Sequence, residues 1–140
     1  MIRYLTPRSF LMIGGAVLVA LGVLGFIVWS AGILKENSVF YLDNGENVAH
    51  VVLGVVALVA ASVLKGQEKL LKPLVILVGI VSLFFGVYGF VVAGNVSPNV
   101  WGVANLENPL DNLLHLVVGV WALASALVKQ PAVAGMKPKM

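Results

Sequence analysis

The stretch FLMIGGAVLVALGVLGFIVW, Phe10 to Trp29, runs for twenty residues without a charge or a proline. At 1.5 Å per residue, a helix of that length reaches about 30 Å, the thickness of a bilayer's hydrocarbon core. Three further stretches are of similar length and mostly apolar: about Asn44 to Leu64, Pro73 to Ala93 and Pro109 to Val128. The charges gather in short clusters between them. With 60% hydrophobic and 11% charged residues in 140, and a mean hydropathy of +1.02, the chain lacks the polar surface that a small soluble domain needs. The runs are too long and too continuous for barrel strands, which alternate apolar with polar. The expected fold is all-α: an integral membrane four-helix bundle forming one transmembrane domain over residues 1–140.

The third stretch repeats the first. Gly15, Gly22, Gly25 and Phe26 recur at the same spacings as Gly79, Gly86, Gly89 and Phe90. The fourth repeats the second: Asp43, Glu46, Asn47, His50, Gly54 and Ala57 match Asn108, Asp111, Asn112, His115, Gly119 and Ala122. Each copy is a helical hairpin, about 9–65 and about 73–129, with a tail at 130–140. Two spans per copy make the repeats parallel, related by an axis along the membrane normal. Small residues let helices approach closely in lipid, so Gly15, Gly22, Gly25, Gly79, Gly86 and Gly89 are read as helix-packing positions.

Helix starts are marked. Asp43 and Glu46 form a capping-box pattern. Asn108 precedes Pro109, with proline expected at the first helical position, and Lys72-Pro73 reads as the entry to the third span. Arg3 and Arg8, then Lys65, Lys69 and Lys72, then Lys129, Lys137 and Lys139 lie on one side. Lys35 stands on the other against Glu36, Asp43, Glu46, Glu107 and Asp111. The positive-inside rule predicts that both termini are cytoplasmic. Trp29, Phe40, Tyr41 and Trp101 fall where interfacial aromatics belong. The first span is longer than a signal-peptide core and is read as a retained helix. The loops Ser30 to Leu42 and Gly94 to Glu107 are expected to lid the outer end.

His50 and His115 are the two histidines, each about two turns inside its helix. An acid precedes each by four residues (Glu46, Asp111), with Asn47 or Asn112 beside it, and a glycine follows by four (Gly54, Gly119). Two readings stay open. In one, the histidines are polar glue between helices. In the other, each imidazole faces a cofactor while the acid orients its second nitrogen and the glycine makes room for a flat ring: one haem held by both histidines, or a tetrapyrrole such as chlorophyll on each. Two histidines and two carboxylates also supply enough ligands for zinc, if both faces converge.

These motifs resemble a family. Gly22-Val23-Leu24-Gly25-Phe26, Asn47-Val48-Ala49-His50 with Gly54-Val55, and Asp111-Asn112-Leu113-Leu114-His115 with Gly119-Val120 look like the four-span bacterial membrane family catalogued as domain of unknown function 4383. The resemblance implies a four-helix membrane fold and a prokaryotic plasma membrane, and brings no activity.

No phosphate loop, HExxH motif or nucleophile elbow is visible, so no catalytic residue is assigned. With no cysteine, thiolate chemistry and iron–sulfur clusters are excluded. The net charge of +3 without an aromatic-interleaved basic patch gives no case for nucleic acid. The leading expectation is a non-enzymatic accessory or scaffolding subunit of a membrane complex, or a homo-oligomer, with the lipid bilayer and other membrane subunits as partners. Tetrapyrrole or metal binding through His50 and His115 is the alternative. A small-solute transporter or channel comes third, since the spans lack buried charges below the level of the histidines and show no broken helices.

Overall fold

The structure is a computed structural model that describes residues 5–33, 43–96, 98–102, 105–106 and 108–128. Arg3, Lys35, Glu36, Phe40, Tyr41, Glu107, Lys129, Lys137, Lys139 and the tail lie outside the described residues. Among the described residues four helices follow in order: α1 (Pro7–Ser30), α2 (Asn44–Val63), α3 (Glu68–Val92) and α4 (Leu110–Leu127). All four are long and apolar enough to cross a membrane, and 22% to 33% of the span residues are buried within the protein. The remainder is a coat of Val, Leu, Ile and Phe side chains facing outward, which in water would be untenable and in lipid costs nothing.

α1 packs along α2, and α3 along α4. Glycine sets both interfaces. A Cβ on Gly15 would stand 2.9 Å from the Gly54 carbonyl oxygen, and one on Gly54 would stand 2.7 Å from that of Gly15. In the second hairpin a Cβ on Gly119 would stand 3.0 Å from the Gly79 carbonyl oxygen. Gly22 faces Val51 as Gly86 faces Leu116, and Gly25 faces Asn47 as Gly89 faces Asn112. The two hairpins thus repeat each other contact by contact. The packing leaves no space for a methyl group, so dispersion between backbones replaces the hydrophobic force that lipid does not supply.

Contact between hairpins is sparser and falls to α1, which touches both α3 and α4. It is densest at the end of the bundle that carries Arg8, Lys65, Lys69 and Lys72, called the basic end below. There Phe10, Leu11, Ala61, Leu71, Val75, Ala122 and Ala126 form the buried core, and Phe10 meets Trp121 edge-on with ring centroids 4.7 Å apart. Arg8 Nε donates to the Ala61 carbonyl oxygen at 3.1 Å, tying the start of α1 to the last turn of α2.

Two boundaries differ from the sequence reading. α3 begins at Glu68, so Pro73 lies inside it rather than at its entry. Proline there removes one backbone bond, to Lys69, and would ordinarily break the helix. Leu71 and Val75 are fully buried on either side of it, and the Leu70 and Leu71 N–H groups both reach the Gln67 carbonyl oxygen, so core packing holds the first turn in place. α4 is capped by Pro109, without a side-chain cap, rather than by Asn108. Gly66, at φ +83°, reverses the chain between α2 and α3 in a conformation that a side chain would strain.

Candidate functional site

The acidic end of the bundle is built around Asp43. As expected, Asp43 and Glu46 close a capping box: Glu46 N–H donates to Asp43 Oδ1 at 2.8 Å, and Asp43 N–H to Glu46 Oε2 at 3.2 Å. The other Asp43 oxygen, Oδ2, accepts from the Asn105 N–H at 2.9 Å. Asn105 Oδ1 in turn accepts from the Asn99 N–H. The Asn99 side chain brackets Leu106, donating to its carbonyl and accepting from its N–H. The α3–α4 loop is thereby fastened to the N-terminus of α2, linking the hairpins at this end. The sequence reading missed this network. Its trace in the sequence is the pair of asparagines flanking Val100 to Ala104, a spacing that lets one side chain satisfy the backbone at the other end of a short loop.

Just below lie the two asparagines, both with 0% exposure. Each is pressed against a glycine of the partner helix. A Cβ on Gly25 would collide with Asn47 Oδ1, and one on Gly89 with Asn112 Oδ1. The hydrogen that glycine carries in that direction points at the amide oxygen, a Cα–H···O contact that recurs in both hairpins. Asn112 Nδ2 donates to Asn108 Oδ1 at 3.3 Å, which is the role Asn108 takes in place of capping.

The histidines flank these asparagines and differ. His115 Nδ1 lies 3.2 Å from Asp111 Oδ1 and 3.0 Å from the Asp111 carbonyl oxygen. Both neighbours are acceptors, so Nδ1 carries the proton and, in the neutral ring, Nε2 carries the lone pair. Asp111 is 5% exposed, and its Oδ2 has no partner. In the first hairpin the Glu46 carboxylate is turned to the Asp43 N–H, and His50 Nδ1 is buried without a hydrogen-bond partner. The acid-to-histidine bond expected in both copies is therefore made in one. His50 nevertheless lies within electrostatic range of Asp111, His115 and Asp43, so the two hairpins bring their imidazoles to one region.

The glycines read as space for a flat ring serve another purpose. The space beside Gly54 is filled by the Gly15 carbonyl and Val19, and that beside Gly119 by Leu83 and the Gly79 carbonyl. They admit α1 and α3. Nor do the carboxylates join the histidines as a zinc cluster: among the described residues, no three His, Asp or Glu side chains are grouped to hold a metal ion.

An aromatic ladder runs outward from His115. Phe85 tilts against its ring at 6.1 Å and meets Trp101 edge-on at 6.0 Å. Trp101 stacks on Tyr88 at 5.8 Å, and Tyr88 on Phe84 at 5.5 Å. Tyr88 therefore packs near the end of α3. Trp101 is 68% exposed and held at φ +48° beside Gly102. No protein-family model, curated protein or solved structure matches the chain.

Proposed function

We propose that this chain is a non-enzymatic four-span membrane protein that works by association, as an accessory or scaffolding subunit or as a homo-oligomer. One observation carries this reading. On α1, opposite the glycines that seat α2, Ala16 and Ala20 are exposed one turn apart. Two small residues at that spacing let another helix approach closely in lipid, and none of the described helices covers them. Replacing both with Leu, and weighing native and variant particles extracted in mild detergent, tests the reading. The native protein should run as an oligomer or with a co-purifying membrane subunit, and the double variant as a lone chain. A native particle that is already a lone chain overturns it.

The charge clusters support an orientation with both termini in the cytoplasm of a prokaryote, and the Asn-x-x-His motifs support placement in the four-span family named above. A second reading, tetrapyrrole binding, draws on the Asp111–His115 bond. A carboxylate that fixes one imidazole nitrogen leaves the other directed outward, as in metal-ligating histidines. An absorption spectrum of native material decides it, and a colourless preparation removes it.

A further inference from the structure

At the basic end, the start of α1, the first turns of α3 and the last turn of α4 enclose a laterally open cleft of about 350 Å³, within the size range of small-ligand sites. Its wall is mostly apolar, from Pro7, Ala126 and Val128. Three polar groups in it stand without partners. Glu68 and Lys72 lie one turn apart on α3, in the order that normally favours an ion pair, yet neither makes one among the described residues. Ser125, 1% exposed, has a buried Oγ with no hydrogen-bond partner, whereas Ser62 donates to the Leu58 carbonyl one turn back in the usual way. Thr6, also in the wall, is occupied with Ser9. The first turn of α1 holds no acid, so its N-terminal partial charge is uncompensated there.

A cation, a carboxylate and a buried hydroxyl in an apolar wall, placed where four lipid-facing spans end, suit an amphipathic guest with charges of both signs. We propose that the cleft seats the headgroup of a phospholipid bearing a phosphate diester and a primary ammonium. Lys72 donates to the phosphate, Glu68 accepts from the ammonium, and the acyl chains leave along Ala126 and Val128.

The test is native mass spectrometry of the full chain in a neutral detergent, with phosphatidylethanolamine, phosphatidylcholine and phosphatidylglycerol offered at equal concentration. One phosphatidylethanolamine should be retained roughly fivefold better than either competitor, the scale of one interfacial charge contact. A trimethylammonium cannot donate to Glu68, and phosphatidylglycerol has no ammonium. Glu68→Gln should level phosphatidylethanolamine with phosphatidylcholine. Lys72→Gln should weaken all three roughly fivefold, and Lys65→Gln, outside the cleft, should change nothing. Equal retention of the three lipids by the native chain, or a preference that survives Glu68→Gln, overturns the proposal. Displacement of the lipid by free phosphoethanolamine at equal concentration also overturns it, and would assign the site to a soluble phosphate compound.

Discussion

Glu46 and Asp111 hold equivalent places in the two hairpins, one turn ahead of a histidine, and one methylene separates their behaviour. The longer Glu46 side chain reaches back to the N–H of its cap, Asp43, and leaves His50 Nδ1 unpartnered. Asp111 is too short to reach back, and the residue before its helix is a proline with no N–H to satisfy. Its carboxylate turns down the helix to His115 instead. The hairpins therefore share one packing scheme and carry two polar schemes. Packing is dictated by glycines and asparagines that recur in register, while the polar scheme depends on side-chain length and on what caps the helix.

The largest expected effect tests the shared part. Gly25→Ala and Gly89→Ala each force a Cβ into an asparagine oxygen wedged between two helices, and each should destabilise the fold by about 3 kcal/mol in reversible unfolding from mixed micelles. Losses that differ by more than about 1 kcal/mol would show that the two interfaces are not energetically equivalent.

Next comes the divergent part. Asp111→Asn removes a charge-assisted bond to a buried-side imidazole and should cost about 2 kcal/mol, while Glu46→Gln keeps a capping box and should cost under about 0.5 kcal/mol. The His115 Nδ1 proton, seen by NMR in the native chain, should disappear or shift strongly in the first variant and persist in the second. Equal losses would mean that Glu46 also supports its histidine.

The smallest effect separates the two helix starts. Asp43→Ala loses a cap and the link to Asn105, worth about 1.5 kcal/mol together, whereas Asn108→Ala gives up one long bond to Asn112, about 0.5 kcal/mol. Amide exchange in the α3–α4 loop should quicken in the first variant alone. If it does not, the loop is held by Asn99 rather than by the first hairpin.

Much of this was legible in the chain itself. Mostly apolar runs as long as a bilayer core is thick leave helices as the way to satisfy their backbones, and a glycine that recurs at a fixed spacing in two segments marks a face that must meet another helix. The start of α3 was not legible, because Pro73 is a local stop signal that Leu71 and Val75 override by burial in a core drawn from both hairpins. The cap of α4 was misread because Asn108 has a competing partner, Asn112, that becomes available only once the helix has formed.

The sequence alone determined the number of spans, the duplication and the pairs of residues that would share a depth, since these follow from hydropathy and spacing along a single helix. Tertiary structure decided which way each polar side chain turned. Asp43 joins Asn105 across sixty-two residues, His50 and Asp111 approach from different hairpins, and Gly54 and Gly119 make room for a neighbouring helix rather than for a ring. Spacing along one helix fixes a face and a height. The partner found there is set by the other helices that arrive, and no one-dimensional pattern records their approach.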